Sequence, residues 1–140
     1  MKNALKAFLI IVLGSLLVPA PSLALTSHDW SQVNVKATAE WTFMVYLDAD
    51  NNLESYGIED FLEMASVGST TDVRIVVQMD RIEMYDDSYG DWTGCKRYLI
   101  TSGMTPTPAN AIQDLGEVNM GDPQTLANFM TWSIQNYPAN

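Results

Sequence analysis

Residues 41–47, read as WTFMVYL, place Trp41, Phe43, Val45 and Leu47 on one side of an extended chain and Thr42, Met44 and Tyr46 on the other. A segment fit for burial on both faces predicts an interior strand of a parallel sheet. The run ends abruptly in polar residues, Asp48, Asp50, Asn51 and Asn52. They fall at the carboxyl end of the strand, the edge where open α/β sheets place their ligands. Ile58, Phe61, Leu62 and Ala65 then follow the i, i+3, i+4, i+7 spacing of a buried helical stripe, with Glu54, Glu59, Asp60 and Glu63 on the expected wet side. Asn51 or Asn52 is placed to cap this helix and Gly68 to end it.

Val73 to Met79 (VRIVVQM) predicts a second apolar strand, closed by Asp80 and Arg81. Strand, helix and strand make a crossover unit that brings Asp48 and Asp80 to one edge. A loop rich in Asp, Tyr and Gly follows from Arg81 to Gly94, and Lys96 to Thr101 (KRYLIT) reads as a third, shorter strand. Pro106 and Pro108 make 102–111 irregular, because proline removes a backbone donor and fixes φ. Asp122 then suits an N-cap and Pro123 the first helical position, and Leu126, Phe129, Met130 and Ile134 form an apolar stripe that stops before Pro138.

The first 24 residues have the pattern of a signal peptide. Lys2 and Lys6 precede an apolar run from Ala7 to Val18, too short to span a bilayer comfortably, and Ser22 and Ala24 place cleavage between Ala24 and Leu25. A polar spacer, 25–40, separates this leader from a single domain at 41–140. Secretion or a periplasmic destination follows, with no stable membrane insertion once the leader is removed. Cleavage takes away two basic residues and leaves five against 17 acidic ones, a net charge of −12. That balance disfavours nucleic acid and anionic membranes as partners. One cysteine, Cys95, allows no internal disulfide, so an exported chain of this kind relies on packing.

The acidic cluster admits three readings. Asp and Asn turn the chain and cap the helix. A cation site is the second, since Asp48, Asp50, Asn52 and Glu59 fit positions 1, 3, 5 and 12 of an EF-hand loop. Leu53, however, stands where that loop needs glycine, and helix is expected to begin inside it. In the third, which a family resemblance permits, Asp48 and Asp50 border a cleft from the strand edge. His28 and Cys95 make a poor dyad, because a base must be held in place and His28 lies in the spacer.

MVYLDADNNLE, a second strand ending in Met-Asp-Arg, and NMGDPQTLANFMTWSIQNYPAN together resemble the clostripain family of secreted cysteine endopeptidases, over about residues 41–140. The resemblance implies an α/β, caspase-like sheet flanked by helices, of which this chain holds the first strands and two helices and is therefore incomplete. It implies cleavage after arginine in protein or peptide substrates by a histidine and a cysteine. In that family an apolar strand after a helix such as 123–136 leads to His-Gly-Gly, and the cysteine ends a later strand. Neither motif occurs here, so the chain reads as an amino-terminal fragment, inactive alone, with no catalytic residue to assign.

Asp48, Asp50, Asn51 and Asn52 remain as candidates for a cleft edge or a cation site. The sequence requires no cofactor, while the resemblance allows calcium. Two alternatives stand beside this reading: a secreted, non-catalytic α/β binding domain, and a haloacid-dehalogenase-like phosphohydrolase using Asp48 and Asp50 with magnesium. The second needs a later lysine, and Lys96 is the only one after Lys36.

Overall fold

A computed structural model describes residues 38–140. The expected signal peptide, most of the spacer and His28 lie outside the described residues. In chain order the elements are β1 (Trp41–Ala49), α1 (Glu54–Val67), β2 (Val73–Arg81), β3 (Gly94–Leu99), a single 3-10 turn at Pro108–Asn110, β4 (Gln113–Gly116) and α2 (Pro123–Asn136). The four strands form one sheet in the order β1-β2-β3-β4. β1 and β2 run parallel in unbroken register from Trp41↔Val73 to Ala49↔Arg81. β3 is antiparallel to β2, and β4 to β3, with a register shift between Cys95 and Lys96.

The interior strand is β2, not β1: Val76, Val77, Gln78, Met79, Asp80 and Arg81 are all buried. β1 has a single strand neighbour along its length and leaves Trp41 66% and Phe43 57% exposed. Pattern alone could not anticipate this, because an apolar strand looks the same whether or not its second neighbour is at hand. At its lower end β1 is met from the open side. Ala39 pairs in parallel with Ala139, the amide of Asn140 donates to the carbonyl of Ala39 at 3.0 Å, and the Thr42 hydroxyl donates to the carbonyl of Tyr137 at 2.7 Å.

Helix α1 buries Ile58, Phe61 and Ala65 against one face of the sheet, as the spacing predicts, together with Gly57, while Leu62 of the expected stripe is half-buried. Phe61 meets Tyr98 edge-on with ring centroids 5.0 Å apart. Gly57 allows the close approach of α1 to β1, since a Cβ there would lie 2.8 Å from that of Ala49. Gly68 ends the helix at φ 74°, its amide bonded to the carbonyl of Met64. The expected cap is different. Leu53 holds the N-cap position and no side chain caps the helix, while Asn51 folds back on its own turn, accepting from the amide of Leu53 at 2.8 Å and donating to the carbonyl of Asp48 at 3.1 Å.

On the opposite face, α2 starts as expected: the Asp122 carboxylate accepts from the amide of Gln124 at 2.9 Å and Pro123 occupies the first turn. Its buried face is narrower than the apolar stripe suggests. Phe129 packs on Val76, Leu99 and Tyr46, and Ser133 is buried beside it, but Leu126, Met130 and Ile134 are exposed. α2 lies along the edge strand β1, so only the inner side of the stripe meets the sheet.

Glu54 departs furthest from expectation. It stands on the predicted wet side of α1, yet is 0% exposed. Its carboxylate accepts from Nε of Arg81 at 2.6 Å and from the amide of Asp86 at 3.0 Å. The remaining guanidinium donors of Arg81 reach the carbonyls of Asp86, Ser88 and Gly90, and the Trp92 ring covers the group at 4.9 Å. Removing one partner of a buried pair strands the other charge. Arg81→Met is expected to cost about 3–5 kcal/mol in urea unfolding and to open 82–93 to proteolysis. Glu54→Leu/Arg81→Met should recover most of the loss, because an apolar pair leaves no stranded charge.

Candidate functional site

The carboxyl ends of β1 and β2 come together at one edge of the sheet. Asp48 is in register with Asp80, and Asp80 is in turn paired across to Cys95 and Cys95 to Gly116. Asp50 follows β1 and Glu117 follows β4. Among the described residues, carboxylate oxygens of Asp50, Asp80 and Glu117 lie within 4.8 Å of one another. Asp50 and Glu117 are exposed, whereas Asp80 is 1% exposed. A cleft of about 320 Å³ lined by Asp50, Arg81, Ile82, Glu83, Thr93 and Glu117 opens beside them.

Asp80 is the unusual member. Its Oδ1 is buried and has no hydrogen-bond partner. Burial pushes the carboxyl up from an ordinary 3.8 to about 7, and Glu117, Asp50 and Asp48 push the same way, against the amide of Arg81. The basic side chains nearest in sequence are engaged elsewhere. Arg81 turns to Glu54 on the α1 side, Lys96 bonds Asp114 at 2.7 Å, and Arg97 donates to Gln78 at 2.8 Å while stacking 4.5 Å over Trp132.

Of the four residues picked from the sequence, Asp48 and Asp50 stand at this edge, Asn51 serves its own turn, and Asn52 is exposed. The EF-hand arrangement does not form. Helix begins at Glu54, and Glu59 lies exposed on its outer side. The oxygen donors that do converge, Asp50, Asp80 and Glu117, are of the class a hard cation takes. Asp80 carries a signal in the sequence, as the acid closing an apolar strand. Glu117 carries none, because it follows the short strand β4, whose residues QDLG hold a single large apolar side chain and so announce no strand.

Cys95 is fully buried, its thiol 3.8 Å from the sulfur of Met120. Burial and the Asp80 charge push it up to about 12, outweighing Arg97 and Lys96. A nucleophilic cysteine needs the opposite setting, exposed and electropositive. The phosphohydrolase alternative also lacks its lysine, since Lys96 is committed to Asp114.

These elements define an α/β domain with its candidate site at the strand ends. A solved structure of a B. fragilis cysteine protease superimposes with a TM-score of 0.51 at 19% identity, covering 72% of this chain and 80% of that one, a likeness of fold. Residues 45–140 match the clostripain family. Clostripain from Hathewaya histolytica is 28% identical over 122 residues, a match spanning 79% of this chain and 23% of that relative. The chain belongs to the clostripain family.

Two outcomes follow for the site. Cys95 should react with a disulfide reagent such as 5,5′-dithiobis(2-nitrobenzoate) only on unfolding, with no fast phase in the native state at pH 8; a rapid native reaction would contradict its burial. The Asp80 carboxyl holds its proton in the folded state to higher pH than in the unfolded chain. The stability this gives is complete below about pH 4, declines as pH rises, and is lost above about 7. Urea unfolding between pH 4.5 and 8 should show this decline, flattened in Asp80→Asn.

Proposed function

We propose that this chain is the amino-terminal part of an exported cysteine endopeptidase that cleaves after arginine, and that residues 38–140 supply the scaffold of the active site but not its reacting groups. The observation that carries this is the parallel bridge of Ala39 and Ala139 on the open side of β1. A strand continuing in that direction would pair with β1 and end beside Asp48 and Asp80. In the family that this chain resembles, the element after a helix such as 123–136 is an apolar strand leading to His-Gly-Gly. The exposed apolar side chains of β1 and α2, among them Phe43, Met44 and Ile134, would be covered by the same continuation.

The described residues contain no histidine, and their one thiol, Cys95, is buried and protonated. Catalysis by a histidine acid/base and a cysteine nucleophile therefore calls on other strands of the domain. An edge bearing Asp48, Asp50 and Glu117 favours substrates with a cationic side chain at the cleaved bond. The leader at 1–24 would carry the protein out of the cytoplasm. Nucleic acid is no part of this scheme, given the chain's acidity.

Incubating the 140-residue chain with an arginyl peptide p-nitroanilide is the direct test. No turnover is expected. Turnover that Cys95→Ala abolishes would overturn the reading, as would a DNA sequence beyond the Asn140 codon with no apolar strand and His-Gly-Gly in any frame.

A further inference from the structure

We propose that the loop after β2 carries a groove for an apolar side chain of a basic peptide, set beside the strand-end cleft so that one extended substrate spans both. The groove, of about 370 Å³, is lined by Ile82, Glu83, Met84 and Tyr85. Ile82 and Glu83 also line the cleft of about 320 Å³ to which Asp50 and Glu117 contribute. The two hollows share a wall, and nearby side chains of one peptide can enter both. That the occupant is a substrate rests on the peptidase reading above; the groove itself does not.

The loop is held in shape although its backbone is strained. Met84 has φ 81° and Tyr89 φ 61°, in the left-handed region that favours glycine. Strain of this kind persists where surrounding contacts impose it, and it gathers at ligand-binding segments. Here the guanidinium of Arg81 donates to the carbonyls of Asp86, Ser88 and Gly90, the amide of Asp86 donates to Glu54, and the amide of Met84 donates to the Asp91 carboxylate at 3.1 Å. These bonds display Met84 at 85% and Tyr85 at 60% exposure. The groove is therefore formed in advance, and a ligand need not order it.

Charge and side-chain type select the occupant. Residues 82–91 carry Glu83, Asp86, Asp87 and Asp91 and neither lysine nor arginine, and the adjoining cleft adds Asp50 and Glu117. Such a surface attracts a cationic partner and repels an anionic one. Methionine adapts to irregular shapes, and both methionine and tyrosine are enriched where proteins bind other chains. The ladder between β2 and β3 stops at Arg81↔Gly94, so the backbone from Ile82 onward has left the sheet and can meet an extended chain. In an extended peptide the side chains on one side recur at every second residue. The apolar residue accordingly stands two positions from the cationic one.

The test is fluorescence anisotropy of the 140-residue chain with the probe fluorescein-Ala-Leu-Ala-Arg-Ala-Leu-Ala, in which a leucine stands two residues to either side of the arginine. It should bind about tenfold or more tighter than the probe with serine at both leucine positions, as burial of one leucine side chain would give. Glutamate in place of the arginine should weaken binding. Met84→Gly removes the side chain and suits φ 81°, so it should keep or raise the urea unfolding midpoint while cutting the leucine preference to about threefold or less. A methionine with a merely structural role would lower the midpoint and leave the preference. Tyr85→Ser should reduce the preference in the same way, whereas Tyr56→Ser, at an exposed aromatic on α1, should not. No binding of any probe, equal affinity for the leucine and serine probes, a preference that survives both loop variants, or tighter binding of the glutamate probe would overturn the proposal. The peptidase reading fails separately, on the DNA beyond the Asn140 codon.

Discussion

The buried pair of Glu54 and Arg81 sets the geometry on which the rest of this domain depends. Taking a carboxylate and a guanidinium out of water carries a penalty of several kcal/mol per ion, which attraction offsets only when geometry is good and the remaining donors are satisfied. Both conditions hold. Nε of Arg81 lies 2.6 Å from the carboxylate, three backbone carbonyls of 86–90 take the other donors, and the amide of Asp86 completes Glu54. One interaction thus joins the first turn of α1, the end of β2 and the loop after it. It also orients its neighbour. Successive strand residues point to opposite faces, so holding Arg81 toward α1 sends Asp80 the other way, toward Asp50 and Glu117.

The two faces of the sheet are built on different principles. Under α1 the packing is aromatic and aliphatic, with Phe61, Tyr98 and Trp92 in contact and the Trp92 indole donating to the carbonyl of Pro106 at 2.7 Å. Under α2 the core is smaller. Val76, Leu99 and Phe129 form it, and Arg97 spreads its guanidinium over Trp132 and Phe129 while bonding Gln78 and Gln113. A planar cation that both stacks and hydrogen-bonds can seal such a region where a lysine would not. Each face thus carries one buried guanidinium, Arg81 under α1 and Arg97 under α2, and the strand-end acids lie on the α2 face.

Much of this architecture was legible in the residue pattern, for reasons the structure makes plain. Helix α1, helix α2 and the parallel pair β1 and β2 rest on period and on capping residues, which act locally. β3 begins two residues earlier than its apolar run, because Gly94 and Cys95 pair with Arg81 and Asp80 across the sheet. β4 is polar and four residues long, held by its partner and not by any preference of its own. The burial of Glu54 was illegible for a similar reason: helical spacing puts it outside, and only Arg81, 27 residues further on, draws it in. The convergence of Asp80 and Glu117 likewise follows from sheet order, which no local pattern encodes.

The motif from Asp48 to Glu54 divides into two kinds of residue once its contacts are known. Asn51 and Glu54 serve the backbone, one shaping the turn and the other anchoring β2 and its loop. Asp48 and Asp50 face the sheet edge and have charge to spare. A motif of this kind can mark a family while contributing no reacting group, because its structural half is needed wherever the strand must end at that turn. Its charged half gains a role only from what is brought to the same edge. In this chain that is Asp80, whose carboxylate is buried without a counter-charge in contact, and Glu117, delivered by a strand the pattern does not announce. The chemistry of the edge is accordingly a property of the sheet, assembled from three distant segments, and not of the motif that first draws the eye.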